Sequence, residues 1–403
     1  MLIEFKVGNY LSFKDKKTLS LEATAIKENL ENVIESGNYK LLRSAVIYGA
    51  NSSGKSNFLK AMDRMRWILM TSAQNNSTSE IDVVPFLLST ETENQPSHFE
   101  ILILINGVRY RYGFEASNKI IHSEWLYERK IRKEKLLFIR VNDSIEVTKD
   151  FVEGSGLEEK TRDNALFLSI VDQFNGTISK KIMNWFNQQS NLSGLLHEKG
   201  KPLTLGFLKD VDLTIWIKDF LSPLGLGIQD FVLKDSRILT IHNKFDKSGN
   251  VIDKHEFDLL KQESAGTNKL YDMAGHLTYG LKLGALTVID ELDAKLHPLL
   301  TMAIVKLFNS PIHNNRNAQL VFATHDTNLL NFGCFRRDQI YFTEKNRFEA
   351  TDLYSLVEYI EPNGNKVRND RSFEKDYIAG RYGAIPFIGD FTKLISNGES
   401  SKD

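Results

Sequence analysis

The sequence predicts an α/β fold in two lobes, the first with an antiparallel β sub-sheet and the two separated by a mostly helical insertion lobe. Three observations predict it. An apolar strand, residues 44–48, runs into Gly49-Ala50-Asn51-Ser52-Ser53-Gly54-Lys55-Ser56. A helix follows, marked by Phe58, Leu59, Met62, Met65 and Leu69 at helical spacing. Two later apolar strands end in polar groups: residues 283–289 in Asp290-Glu291, and residues 318–324 in His325. Between these halves, residues 98–148 read as successive strands around Asn106-Gly107, a pair favoured in tight hairpin turns.

Length and composition bound the reading. At 403 residues the chain exceeds what one hydrophobic core spans, so it divides into lobes at about 1–150, 151–260 and 261–403. A formal net charge of -1 gives no global field for nucleic acid or anionic membrane, so such binding needs a local patch. The single cysteine, Cys334, excludes an internal disulfide and a multi-cysteine metal site, and suits a core filler in a reducing cytoplasm. The start, Met1-Leu2-Ile3-Glu4-Phe5-Lys6, is no signal peptide, because charge interrupts its apolar run. No apolar run approaches the ~18 residues of a membrane span, so no membrane contact is expected.

Taken in order, residues 2–7 and 17–22 read as strands on either side of Asn9-Tyr10-Leu11-Ser12-Phe13, and residues 24–43 as loop and polar helix. After the first helix, residues 72–79 are polar. Strands at 98–105 and 108–114 flank the Asn-Gly turn, with Tyr110, Tyr112 and Phe114 alternating with Arg109 and Arg111 as a half-buried strand requires. Further strands fit 120–127, 136–141 and 145–148. Residues 153–225 change character, with helices at 166–174, 178–186 and 207–221. A hairpin follows over 231–259 around Lys247-Ser248-Gly249-Asn250, and helices are expected at 270–279 and from Pro298 to Phe308.

The motifs carry chemistry. Residues 49–56 fit G-x-x-x-x-G-K-[ST], in the strand–turn–helix context that this phosphate-binding loop needs. Glycines let a row of backbone N–H groups close on a phosphate, and the helix N-terminus adds partial positive charge. Lys55 is placed to reach the outer phosphates, and the Ser56 hydroxyl to hold magnesium. A triphosphatase also needs a carboxylate for the metal and a group to activate water. Asp290 fits the first role and Glu291 the second. His325 is placed to hydrogen-bond the terminal phosphate. The run Glu263-Ser264-Ala265-Gly266-Thr267-Asn268-Lys269 precedes a helix and suits either an N-cap or a phosphate clamp. No histidine–carboxylate spacing calls for zinc.

The order of these motifs resembles the ABC-class ATPase heads, nearest to the SMC and RecF branch. Within it, Glu263–Thr267, Asp290-Glu291-Leu292-Asp293, Leu296-His297-Pro298 and Arg381-Tyr382-Gly383-Ala384-Ile385-Pro386-Phe387 look like the bacterial AAA-family ATPases of the RloA and AbiLi type. The resemblance implies an ATP- and magnesium-dependent ATPase working as a homodimer or higher homo-oligomer. Ser264, Gly266 and Thr267 would reach the nucleotide of a partner subunit, and Asp293 would lie on the seam. It also implies control of a protein effector, a toxin or nuclease, in anti-phage defence. Three features depart from the pattern. Glu263 stands where the ABC signature often has Leu, and Leu11 where related heads often carry a basic residue. No glutamine can be placed as the metal-contacting loop residue, for which Glu124 is the substitute candidate.

Two alternatives carry their own signals. A RecF-like DNA-repair ATPase would use a basic surface, with Arg129-Lys130-Ile131-Arg132-Lys133-Glu134-Lys135 and Arg336-Arg337 as candidates. A self-contained nuclease would need acidic metal ligands after the ATPase head. The one Asp-x-Asp, Asp210-Val211-Asp212, lies inside the insertion instead.

Overall fold

A computed structural model describes residues 1–234, 237–361 and 364–386, so Phe387 of the last motif lies outside the described residues. The chain opens with β1 (Leu2–Gly8) and β2 (Lys17–Ser20). A small hairpin, β3 (Val33–Ser36) and β4 (Tyr39–Leu42), stands where loop and polar helix were expected. Its four-residue strands are too short to show a period. Gly37, at φ 59, makes the turn, and Ile34 and Leu41 bury against Ile3 and Leu104.

The strand β5 (Ser44–Gly49) and the helix α1 (Lys55–Thr71) bracket the phosphate-loop motif. An antiparallel meander follows: β6 (Ser97–Ile105), β7 (Val108–Ala116), β8 (Ile121–Arg129), β9 (Lys135–Val141) and β10 (Ser144–Val147). Asn106 and Gly107 both take positive φ, 50 and 79, as a type I′ turn requires. The meander joins β1 and β2 in a seven-stranded sheet ordered β10-β9-β8-β7-β6-β1-β2.

The middle of the chain holds α2 (Phe167–Gln173), α3 (Thr177–Asn187), β11 (Ser190–Ser193), α4 (Lys201–Phe207) and α5 (Val211–Leu221). The helix expected over 207–221 starts later, as α5, and a separate short helix, α4, precedes it. Asp210 accepts from the amides of Asp212 and Leu213 at 3.0 and 3.1 Å and starts α5 afresh, so this acid is a cap. In place of a two-stranded hairpin, β12 (Ile228–Lys234), β13 (Arg237–Phe245) and β14 (Val251–Asp258) form a three-stranded antiparallel sheet.

The last part runs α6 (Leu259–Gln262), α7 (Ala265–Leu283), β15 (Leu286–Asp290), α8 (Pro298–Asn309), β16 (Gln319–Ala323), α9 (Asn328–Asn331), β17 (Ile340–Lys345), β18 (Thr351–Ser355) and α10 (Phe373–Ile378). His297 caps α8, accepting from the Leu299 amide at 3.2 Å, with Pro298 as its first residue. The central sheet is ordered β11-β15-β16-β5-β17-β18, parallel except for β18.

Both faces of that sheet are covered. Ala45 and Ile47, Leu286 and Val288, and Val321 and Ala323 pack with α1, which lies between this sheet and the antiparallel one; Phe5, Ile101 and Phe114 close that core from the far side. The alternate residues Val46, Tyr48, Ile289, Leu320 and Phe322 pack with α7 and α8. Burial on two faces is why these strands read as continuous apolar runs. The functional consequence is alignment. β15, β16 and β5 lie side by side and parallel, so Asp290, His325 and the phosphate loop emerge together at their carboxyl ends. Open α/β sheets place ligands there.

Candidate active site

The loop after β5 is held in a shape that excludes larger residues at its two glycines. Gly49 and Gly54 sit at φ 154 and 114, and a Cβ would strike Ser53 and Thr343 at the first position and the Thr351 side chain at the second. Helix α1 starts at Gly54 without a side-chain cap and without an acid in its first turn. Its leading N–H groups and partial positive charge therefore face outward, as a polyphosphate requires. The loop is braced from the neighbouring strands: Ser53 Oγ lies 2.6 Å from Thr343 Oγ1, and Thr351 Oγ1 lies 2.9 Å from the Ser53 carbonyl.

Lys55 is 4% exposed and folds back across this loop. Its Nζ donates to the carbonyls of Gly49 (2.7 Å) and Ala50 (3.0 Å). Burial brings its ammonium down to about 8, against the opposing pull of Asp290, Glu291 and Asp293. A cavity of about 760 Å³ opens beside it, lined by residues 51–57 together with Glu291, His325 and Lys345. The structure thus brings the loop into one cavity with three residues taken from distant strand ends.

At the end of β15, Asp290 carries a buried Oδ1 with no hydrogen-bond partner among the described residues. An acceptor-only oxygen left unpaired in the interior fits a cation, and with the Ser56 hydroxyl at the start of α1 the donor set suits magnesium. Glu291 follows in the left-handed region at φ 52. Burial, then the charges of Asp290 and Asp293, raise its pKa above the ordinary carboxylate range. Partial desolvation, then Lys55 nearby, lower the pKa of His325 from the usual imidazole value. Its backbone N–H points at Asp293, 3.3 and 3.4 Å from the two carboxylate oxygens, so Asp293 sits under the histidine loop.

Two residues that hold this carboxylate turn carried no sequence signal. Lys269, fully buried on α7, donates to the carbonyls of Ala294 (2.6 Å), Leu292 (2.8 Å) and Glu291 (3.3 Å). Burial brings it, too, down to about 8. Gly194, just past β11, donates its N–H to the Asp290 carbonyl at 2.6 Å, and a Cβ there would run into the Glu291 carbonyl oxygen. The two meet at the same point of the turn, since a Cβ on Gly194 would also crowd the Lys269 ammonium. An apolar period detects neither, because both act on backbone atoms.

Ser264, Gly266 and Thr267 stand at the start of α7, outside the cavity's lining. Ser264 caps α7 by accepting from the Thr267 amide at 3.1 Å, and Thr267 is buried with its hydroxyl 2.9 Å from Ser264 Oγ. Gly266 packs against the Lys295 carbonyl. Glu263, the residue at odds with the ABC signature, is held by His242 (2.7 Å) and Thr240 (2.5 Å) of β13.

Other candidates move away from the site. Glu124 is fully buried, accepting from the amides of Phe167 (2.6 Å) and Leu168 (3.0 Å) and from Tyr112 (2.9 Å). It caps α2 from within the core and has no access to a metal at Ser56. Leu11 packs on the α1 core. Arg336 is 1% exposed and locked on Asp338, and Arg337 pairs with Glu28, so neither offers a basic surface. In the other basic run, Lys130, Arg132, Lys133 and Lys135 are exposed, while Glu134 pairs outside the run with Arg109 and Arg111 of β7. Cys334 is buried with its thiol pushed up to about 11, the chemistry of a filler. No helix among the described residues is long and apolar enough to cross a membrane.

The SMC head domain from Thermotoga maritima is similar over 88% of this chain and 98% of its own, at 13% identity and a TM-score of 0.44. An SMC head bound to the C-terminal winged-helix domain of ScpA is similar over 88% of this chain and 97% of its own, at 12% identity and a TM-score of 0.43. No curated protein matches the chain. A family profile matches residues 44–331, from the start of β5 through the histidine loop. On that match, which spans well over half its length, the chain belongs to the family described as "AAA domain, putative AbiEii toxin, Type IV TA system".

Proposed function

We propose that this chain binds ATP on residues 49–56 and hydrolyses it as an ABC-type head, in a homodimer or higher homo-oligomer. The observation that carries the reading is the single cavity in which the phosphate loop meets Glu291 and His325. On binding, Lys55 exchanges the carbonyls of Gly49 and Ala50 for the outer phosphates. Ser56 and Asp290 would hold magnesium, which supplies charge neutralisation at the phosphates when bound. Glu291, its basicity raised by burial and by two neighbouring carboxylates, takes the proton of the attacking water. His325, kept largely neutral, donates a hydrogen bond to the terminal phosphate. Ser264, Gly266 and Thr267 of one subunit approach the nucleotide of the other, with Asp293 on the seam.

Hydrolysis in this reading is a cytoplasmic switch that controls a partner effector, a toxin or nuclease, in bacterial anti-phage defence. The support for that step is the resemblance to the RloA and AbiLi group, an argument from family. A RecF-like DNA-binding role would rest on the largely exposed run 129–135 alone, since Arg336 and Arg337 are held by Asp338 and Glu28. The test of the core reading is Lys55→Ala, which should abolish ATP hydrolysis and weaken ATP binding. Turnover at the wild-type rate in that variant would remove it.

A further inference from the structure

One charged residue in the cavity belongs to none of the motifs. Lys345 ends β17 and lines the cavity together with residues 51–57. Its orientation follows from register. Lys345 pairs with Thr351 across the β17–β18 ladder, and cross-strand partners share a face. Thr351 turns that face to the phosphate loop, touching the Ser53 carbonyl and blocking any side chain at Gly54. Thr343, two residues before Lys345 and so on the same face, touches Ser53 Oγ. The strand also overshoots its neighbour: Thr343 stands opposite Gly49, where β5 ends, so Lys345 lies alongside the loop itself.

The flank matters. β16 and β15, which deliver His325 and the Asp290-Glu291 pair, lie on one side of β5, and β17 lies on the other. A nucleotide whose reacting end faces Glu291 and His325 must leave across the opposite flank, past Lys345. The segment between β1 and β2 touches this strand pair through Ser12. Ser12 Oγ lies 2.8 Å from Thr351 Oγ1 and 2.9 Å from Asn57 Nδ2, while Leu11 packs into the core. The Lys345 ammonium is itself weakly engaged. It pairs at 3.4 Å with Glu349, whose side chain is 67% exposed, so solvent screens the pair and little opposes an exchange of partners.

We propose that Lys345 is a second nucleotide-binding cation, holding the non-reacting phosphates of ATP from the flank opposite Glu291 and His325. This rests on the ATPase reading above and adds a residue to its site. A contact made equally in ground and transition states changes KM and leaves kcat alone. Because the non-reacting phosphates are common to ATP and ADP, both ligands should feel its loss.

The experiment compares wild type, Lys345→Ala, Lys345→Arg and Lys55→Ala by fluorescent-nucleotide titration with ATP and ADP analogues and by steady-state hydrolysis. Loss of one charge-assisted contact should raise Kd for both nucleotides and KM for ATP by about tenfold. The kcat of Lys345→Ala should hold within about twofold, and Lys345→Arg should recover Kd to within about threefold of wild type. A thermal melt matching wild type, expected for a partly exposed side chain, excludes misfolding as the cause. Unchanged Kd in Lys345→Ala, with binding lost in Lys55→Ala, would overturn the inference and leave the ATPase reading standing. A drop in kcat at unchanged KM would also overturn it, because Lys345 would then act on the reacting end. Failure of the wild type to bind either nucleotide would overturn both.

Discussion

Replacing Lys269 with methionine isolates the device that holds Glu291. The substitution keeps most of the side-chain volume and removes the ammonium that tethers three carbonyls of the 291–294 turn. The Glu291 carbonyl keeps another partner, the Ala294 amide at 3.2 Å, so the change falls on the carbonyls of Leu292 and Ala294. Two buried acceptors losing a donor cost about 2–6 kcal/mol together. Relief from burying an ammonium offsets several kcal/mol of that, so the predicted net loss of stability is about 1–3 kcal/mol. The larger effect is on geometry. Glu291 sits in the left-handed region, which for a residue with a side chain costs about 1–3 kcal/mol and persists only while its surroundings enforce it. Untethered, the turn relaxes. A displacement of about 1 Å at a reacting group costs about 10²-fold. Lys269→Met should therefore lower kcat for ATP by about 10- to 100-fold while Kd for ATP stays within about threefold, because the residue lies outside the phosphate cavity. Turnover at saturating ATP, nucleotide titration and a thermal melt measure the three quantities. A folded variant whose kcat stays within twofold of wild type would refute the positioning role.

Two further predictions concern Lys55 and the seam. In the free protein Lys55 titrates near 8 because burial disfavours its charge, so ATP binding should weaken as pH rises through 8 and should take up a proton above it; calorimetry in buffers of different ionisation enthalpy would detect the uptake. For stability the sign is opposite: below 8 both states carry the proton and the buried charge disfavours the fold, whereas between 8 and the unfolded value of 10.5 only the unfolded state keeps it, so this residue's contribution to stability grows with pH. Gly266 has no free space beside Lys295, but Ala265 is exposed at the start of α7, so Ala265→Arg should fold, bind ATP and fail to hydrolyse it. Mixing Ala265→Arg with Lys55→Ala should restore partial turnover, each supplying the half-site the other lacks; a mixture as inactive as its parents would count against shared sites.

How much was legible in the sequence depended on whether a residue works through its type or through its place. The phosphate loop, the Asn106-Gly107 hairpin and the apolar strands β5, β15 and β16 were readable, since a missing Cβ, a positive φ and two-sided burial each demand particular residues. Strand β11 was not. Its four residues, Ser190–Ser193, carry one buried leucine, and it holds its place at the sheet edge by backbone pairing with β15. Lys269 and Gly194 escaped for the same reason. Glu124 misled in the other direction: an acid in a strand suggests a surface or a metal, yet here two helix amides and a tyrosine hydroxyl satisfy it in the core. Arg336-Arg337 looked like a basic patch only because their partners, Asp338 and Glu28, cannot be assigned from spacing.

Glu291→Gln tests the central claim most directly. Asp290 and Ser56 remain for the metal and Lys55 for the phosphates, so ATP should bind as in wild type. The amide can orient a water but cannot accept its proton, and hydrolysis should slow by about 10²–10⁴-fold. If ATP is held between two subunits and its hydrolysis releases them, size-exclusion chromatography with magnesium and ATP should then show an accumulated dimer or an assembly of dimers, absent without nucleotide. Hydrolysis at the normal rate would contradict the role of Glu291. A variant that binds ATP, fails to cleave it and stays strictly monomeric at micromolar protein would contradict the shared site.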